Sequence, residues 1–436
     1  MTNAMISRTL KRLGSLLLLG LVFNACNDEA DSLFDPDFGY DRAIPVVNSI
    51  EPSTGYLAGV DFITIVGENF HPTADSNRIY FDGQPGTILT STQNLMEVRP
   101  AQVSGDDIEV KVAVSGAEQF SEPFSYVLNP PLLVPSPDLK DSDVANATFT
   151  DLDGNVYVHI LRDGSTIGIQ KIDAVTQAMS EFIPPNNISV FNDLLISSTG
   201  EVHTVQTKNG AVFSWVPGNS TRWSPKYIVG FTSSIEEIEY DEYGHLWTVG
   251  KSPSIARFEI GNPANKELFP LGHEFTTVRY FDGKLYVGGT IDDVLQIYTF
   301  DVDANGAMTN GQTFYTMSDF SQQEITTIRT MEIASDGTVY VGINSPVTSE
   351  NVDGSVIYKT LDGIVQIAPD GSNAEYLYPG IVPGNIQFMF WGQDEQLNIV
   401  RSRTTIDVDA EPVVVQQQGI QQINMLDKRR APFYGN

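Results

Sequence analysis

The chain predicts an all-β protein, a small β-sandwich followed by a six-bladed β-propeller, and three observations carry that reading. Short alternating runs of β-branched and aromatic residues are broken by Gly, Pro, Asn and Asp every eight to twelve residues, with no helical period. At 436 residues the chain is too long for one ordinary core. A strand-turn-strand phrase then recurs six times in its second part.

Composition narrows the function classes. Lys and Arg number 25 against 55 Asp and Glu, a formal net charge of -30, so a nucleic-acid ligand, which needs a basic surface to release counterions, is excluded. With 41% hydrophobic and 18% charged residues the chain is globular rather than a disordered acidic protein. One cysteine leaves no internal disulfide, no Cys-based zinc site and no CxxC redox motif.

The first element is a leader. Arg8, Lys11 and Arg12 precede an apolar run from Leu13 to Phe23 that is too short to span a bilayer. Asn24, Ala25 and Cys26 follow, and the segment 1–25 resembles a bacterial lipoprotein signal, with Phe23 where that family usually has Leu. The resemblance implies that Cys26 becomes the lipid-bearing first residue, anchoring the chain to a membrane of the cell envelope. The alternative is an ordinary signal peptide cleaved elsewhere, with Cys26 left as a free thiol. Removal of 1–25 takes away three basic residues and no acidic one, leaving a charge of -33.

Residues 26–44 read as an acidic tether, with Asp28, Glu29, Asp31, Asp35, Asp37 and Asp41 against Arg42 alone. A flexible coil of this length reaches about 25 Å. Acidic residues directly after the lipidated Cys resemble the surface-export signal of Bacteroidota-type lipoproteins; a plain solvated linker is the other reading.

Residues 45–128 form the sandwich. The order Ile50, Pro52, Gly55, Gly59, Ile63, Ile65, Gly67, Asn69, Phe70, Ile79, Phe81, Asp82, Gly83, Val98, Pro100 resembles an IPT/TIG domain, an immunoglobulin-like module, over the whole segment. Gly59 and Gly67 are expected at turns that need positive φ, and Ile63, Ile65 and Phe70 in the core. His71, beside Pro72, is expected to be a solvated loop residue.

Asn129, Pro130 and Pro131 break the pattern, and the propeller is expected over 130–436. The six phrases carry their turn residue at Gly154, Gly200, Gly244, Gly283, Gly337 and Glu395, at intervals of 46, 44, 39, 54 and 58. Strand pairs at a mean period of about 48 predict radial four-stranded blades. The motif D-x-x-G-x-(V/L)-(Y/W)-V resembles NHL-repeat and gluconolactonase-like propellers, the sixth copy being degenerate. Tyr157, Trp247, Tyr286 and Tyr340 share one place in the repeat and are expected to pack between blades. Leu132–Pro135 is expected to supply the outer strand of the last blade, because an open sheet edge must be hidden.

Candidate chemistry is sparse. The run Asp301, Asp303, Asn305, Gly306 copies the start of an EF-hand calcium loop, but Gln312 stands at the twelfth position and Asn-Gly favours a hairpin turn. No cofactor is therefore expected, calcium being the one weak candidate. The histidines have no metal-ligand spacing, and no Walker, G-x-G-x-x-G or G-x-S-x-G motif occurs.

One constellation stands out: eight residues before each turn residue, seven in the fourth copy, lie Asn146, Asn192, Glu236, Thr276, Arg329 and Gln387, polar in every copy. Two residues later come Thr148, Leu194, Ile238, Val278, Met331 and Met389, mostly apolar. If the first strand of each phrase lines the axis, the polar set forms a ring at one channel mouth and the second set packs blade to blade. Such a ring suits a sugar; the bland alternatives are wet channel lining or a Glu236–Arg329 ion pair across the channel. Strict alternation turns Asp193 and Glu237 away from that ring, which weakens the divalent-metal site that the gluconolactonase resemblance implies. Trp215, Trp223 and Trp391 are candidate sugar-stacking faces.

The expected protein is a non-catalytic, lipid-anchored recognition protein of the outer membrane or cell surface. Its combination of parts resembles accessory lipoproteins of glycan-uptake systems, which makes a polysaccharide the first partner and a protein the second. Assembly scaffold and metal-dependent hydrolase are the alternative functions.

Overall fold

The computed structural model describes residues 41–133, 139–140, 142–186, 190–206, 209–230, 234–320, 325, 327–344, 347–352, 355–360, 362–392, 395–408, 411–416 and 418–434. The leader, Cys26 and the tether up to residue 40 lie outside the described residues. The rest separates into two compact units, 41–56 with 61–128, and 129–434 with the short stretch 57–60.

The first unit is a sandwich of two four-stranded antiparallel sheets. One holds Val46–Glu51, Ile63–Glu68, Leu95–Arg99 and Thr87–Ser91, the other Gln84–Pro85, Asn77–Phe81, Gly105–Val114 and Phe124–Leu128, each in that spatial order. Period-two alternation puts Ile63, Ile65, Phe81, Val98, Val110 and Val112 into the shared core, where all are buried, and Phe70 joins them. Gly59 has the expected positive φ of 72°. Gly67 does not: it is required because a Cβ there would lie 2.0 Å from the Val46 carbonyl oxygen, and Asn69 takes the left-handed position instead, at φ 63°. His71 accepts the Thr73 N–H on Nδ1 at 3.0 Å, its own N–H donates to Asn77 Oδ1 at 2.8 Å, and its carbonyl accepts from the Asn77 amide and the Ser91 hydroxyl.

The second unit holds six four-stranded sheets, the blades of a propeller. Their first strands are Asp143–Thr150, Asp193–Ile196, Ile235–Tyr240, Glu274–Phe281, Ile328–Ile333 and Ile386–Trp391, and each packs against the first strand of the next blade, the sixth against the first. These are the inner strands. The last blade takes its outer strand, Leu132–Leu133, from the beginning of the unit, where it pairs with Gly419–Asn424. The ring thus closes with strands from both ends of the unit, leaving no open seam between its first and last blades.

The repeated D-x-x-G phrase has a local cause. The Asp241 carboxylate accepts the backbone N–H of Tyr243 at 2.9 Å and of His245 at 2.8 Å, and the Trp247 indole N–H at 2.8 Å. Asp151 does the same for Asp153, Asn155 and the Tyr157 hydroxyl. One aspartate therefore folds the turn and orients the aromatic six residues on, at the cost of a glycine with positive φ at Gly154 and Gly244. The aromatics Tyr157, Trp247, Tyr286 and Tyr340 are all buried, as expected of blade packing.

Two hairpins were not legible as elements. Val347–Val352 with Ser355–Thr360 is inserted between the second and third strands of blade 5, and Thr404–Val408 with Glu411–Gln416 between those of blade 6. They lie against each other.

Candidate functional site

The six polar residues singled out by the repeat share a structural position, though not the expected one. Asn146, Glu236, Thr276, Arg329 and Gln387 are each the unpaired extra residue of a β-bulge near the start of an inner strand. Asn192 directly precedes its strand, in a ladder without a bulge, and its N–H donates to the Val205 carbonyl at 2.8 Å. A bulge inserts one residue and re-aims those that follow.

The expectation that these six side chains point at the axis is not met, with a bulge at five of the positions and the strand start at the sixth. None of them lines the axial cavity. Asn192 Nδ2 donates to the Ile235 carbonyl of the next blade at 2.7 Å, and Thr276 Oγ1 to the Ile328 carbonyl of the next blade at 2.7 Å. Glu236 accepts from Ser234, Gln387 from Ser402 at 3.0 Å, and Arg329 Nε donates to Asn344 at 3.3 Å, so the Glu236–Arg329 pair does not form. Arg329 is exposed and the others are half-buried.

The axis is lined by the residues one and three places after the bulge. Asp193, Glu237, Glu239, Arg279 and Glu332 form a charged half, Phe149, Leu195, Phe388 and Phe390 an apolar half, around a cavity of about 80 Å³. That is room for several waters. Asp193 and Glu237, expected to face elsewhere, point inward, Glu237 directly after a bulge and Asp193 as the first residue of an unbulged strand.

The charged groups satisfy one another. Arg279 Nη1 lies 2.9 Å from Glu237 Oε1, Nη2 lies 3.0 Å from Glu332 Oε1, and Nε lies 3.7 Å from Glu239 Oε2. Glu237 Oε2 also accepts the Thr277 hydroxyl at 2.5 Å and the Val278 N–H at 2.6 Å. Burial pushes Glu239 up to about 8, and burial with the nearby Glu237 charge pushes Asp193 up to about 7; Glu237 and Glu332 are raised as well, chiefly by burial. Burial alone would lower Arg279, but the surrounding Glu237, Glu332 and Glu239 hold it well above its ordinary value. Among the described residues no group of three or more His, Cys, Asp or Glu is arranged to hold a metal ion.

The end of the channel at the D-x-x-G turns is covered by the chain's own C-terminal segment. Arg430 Nη1 donates to the Thr150 carbonyl at 3.1 Å, Ser335 N–H to the Arg429 carbonyl at 2.8 Å, and Lys428 pairs with Asp336. Phe433 packs on Phe149 and Tyr240, with ring centroids 5.3 and 5.9 Å apart, and Tyr434 on Tyr280 at 5.3 Å. These contacts reach blades 1, 3, 4 and 5.

The opposite end carries the five bulge side chains, Asn192 and both inserted hairpins, which start just beyond the strand ends that pair with the bulged segments. Ile328 pairs with Ile343 next to the first hairpin, and Ile386 with Arg401 next to the second. Asn385 Nδ2 donates to Thr404 Oγ1 at 2.7 Å, tying the second hairpin to its inner strand.

Other candidates resolve plainly. Trp215, Trp223 and Trp391 are 6%, 1% and 3% exposed, so they offer no stacking face; each lies in the core because the blades bury it. Asp303 accepts the Asn305 and Ala307 N–H groups at 2.9 Å each, and Asp301 pairs with Lys284 and Asn310, so the calcium-like run is a hairpin turn. His245 Nδ1 is held by Asp241 at 2.8 Å and His203 by the Tyr240 hydroxyl, inside the blades.

The geometry can be set beside known proteins. Residues 45–127 match the family model of the IPT/TIG domain. No curated protein matches the chain. Among solved structures, the chain is similar to a protein of Bacteroides thetaiotaomicron VPI-5482 proposed to be a phosphatase, at 10% identity over 90% of this chain and 98% of that one, with a TM-score of 0.51. An auxiliary nutrient binding protein of the same organism aligns at 12% identity over 89% and 98%, with a TM-score of 0.45. A gluconolactonase of Xanthomonas campestris aligns at 13% identity over 67% and 89%, with a TM-score of 0.40. These likenesses concern the fold. The chain is an all-β protein with an IPT/TIG-type sandwich and a propeller.

Proposed function

We propose that the protein is a lipid-anchored recognition protein of the cell envelope, held at Cys26 and presenting a non-catalytic glycan-binding face as accessory to an uptake system. The observation that carries the reading is the asymmetry of the propeller. One end is closed by the C-terminal segment, whereas the other gathers five polar bulge side chains, Asn192 and two added hairpins. Insertions confined to one face of a rigid scaffold are where binding residues concentrate. The channel argues against hydrolysis, since its carboxylates are taken up by Arg279 and by backbone N–H groups of neighbouring strands.

The test is affinity electrophoresis of the full chain in detergent against a polysaccharide panel, with and without calcium. Retardation that is calcium-independent and lost when the hairpin 404–416 is shortened to a turn supports the reading. Absence of retardation by every glycan defeats it. The second reading, docking of a protein on the same end, is favoured by Val356 and Ile357, 53% and 49% exposed on the blade 5 hairpin.

A further inference from the structure

The end of the propeller that carries the hairpins holds a groove of about 380 Å³ beside the closure between blades 6 and 1, within the size range of small-ligand sites. Its polar lining comes from Ser142, Gln387, Arg401, Ser402, Arg403 and Gln418, and no acidic side chain lines it among the described residues. That is unexpected in a chain with more than twice as many acidic as basic residues.

Arg401 is set apart by its unpartnered Nε. Four arginines of this unit find carboxylates, Arg162 with Asp143, Arg257 with Glu267, Arg279 with three glutamates and Arg429 with Glu395, while Arg329 and Arg430 donate to the Asn344 amide oxygen and the Thr150 carbonyl. Arg401 has none within 4 Å among the described residues, and its Nε is buried without a hydrogen-bond partner. Burial lowers its proton affinity with no opposing charge to restore it. Arg401 is half-buried, and a partly desolvated guanidinium without a counter-ion gains from an anion that supplies the opposite charge. Asp143, which lies in sequence between the lining residues Ser142 and Val144, is taken by a two-point pairing with Arg162, both contacts at 2.7 Å. Arg403, two residues on, is exposed at the rim, while Ser402 donates to Gln387 at 3.0 Å and forms a neutral polar wall between them.

We propose that this groove is an oxyanion site in which Arg401 and Arg403 take the carboxylate or sulfate of an acidic polysaccharide, with Gln387 and Ser402 facing the sugar hydroxyls. The guanidinium fork fits either oxyanion by paired hydrogen bonds. The inference rests on the glycan-recognition reading and names its substrate class.

The experiment is titration of the full chain in detergent with four polymers and one ion. Polygalacturonate is compared with its methyl ester, dextran sulfate with dextran, and inorganic sulfate probes the anion site alone. The expected result is binding of one anionic polymer at least tenfold tighter than its neutral counterpart, with Arg401→Gln and Arg403→Gln each weakening it about tenfold; which anionic polymer binds tells uronate from sulfate ester. Arg403 is exposed, so its variant reports even where Arg401→Gln fails to fold. Equal binding of neutral and anionic polymers, unchanged in both variants, overturns the oxyanion site and leaves glycan recognition standing. Binding of sulfate ion alone, lost in Arg401→Gln, upholds the anion site and defeats its polysaccharide ligand. No binding of any probe overturns the proposal.

Discussion

The carboxylate of Asp193 in blade 2 accepts the backbone N–H of Ile238 in blade 3 at 2.9 Å, and Glu237 repeats the relation one blade on, with Val278 at 2.6 Å. Inner strands of a propeller are sheet edges, and their outward N–H groups need acceptors that no ladder supplies. An axial carboxylate stitching one blade to the next meets that need. Asp193→Ala is expected to lower stability by about 2 kcal/mol, the cost of orphaning a buried N–H. Asp193→Asn, which keeps a carbonyl oxygen, should change it little. Thermal denaturation of the two variants separates these outcomes.

The raised carboxyls predict a pH dependence of definite sign. Glu239 sits near 8 and Asp193 near 7 in the folded chain, both above ordinary carboxylate values. The folded state therefore holds protons that the unfolded state releases, so their contribution is full below about pH 4 and is lost as pH rises through 7 to 8. Glu239→Gln removes one such group while keeping the acceptor for the Tyr240 N–H. The variant is expected to exceed the parent by about 2 kcal/mol at pH 8 and to show a flatter Tm profile between pH 5 and 8. A steeper profile would contradict the assignment.

Gly342 faces Thr330 across the first two strands of blade 5, and a Cβ there would lie 2.7 Å from the Thr330 methyl and 3.1 Å from Ile386 of blade 6. Gly288 stands in the same relation to Thr277 and Ile328. Gly342→Ala is expected to cost about 1–3 kcal/mol by overpacking where blades meet. Gly261→Ala is a control: nothing lies within 4 Å of its Cβ, so any loss there reflects its φ of 84° alone.

Removal of Lys428–Asn436 takes away the Arg430 and Phe433 contacts over the channel. Tm is expected to fall by several degrees, corresponding to about 2–4 kcal/mol. Amide exchange should rise in the inner strands of blades 1, 3 and 4, which the segment covers, more than in the sandwich.

Cys26→Ser tests the anchor. The chain is expected to move from the membrane fraction to the soluble fraction on expression in its cell envelope. Retention on the membrane would point to another attachment.

Much of the architecture was legible because repeated short-range chemistry encodes it. Asp151 and Asp241 each fold a turn and hold the aromatic six residues on in blades 1 and 3, Gly200, Gly283 and Gly337 mark the same turn in blades 2, 4 and 5, and the spacing of the phrases counts the blades. Leu132–Leu133 could be foreseen as the closing strand because an open edge needs one. The 58-residue interval before Glu395 was the trace of the hairpin 347–360, but length alone does not reveal strands.

What the sequence by itself determined was the class of fold and the polar character of the bulge positions, since both follow from residue types at a fixed period. Only the tertiary structure decided which side chains face the axis. A bulge adds one residue to one strand of a pair, and because side chains alternate with period two, that single residue exchanges the inward and outward sets. Glu237 lies in the channel directly after such a bulge and Glu236 outside it, and in the unbulged blade 2 Asp193 and Asn192 take the same places. The pairing of Arg279 with glutamates from two other strands, the cover of Phe433 and the isolation of Arg401 likewise arise from residues far apart in the chain, whose meeting depends on how six blades close into a ring.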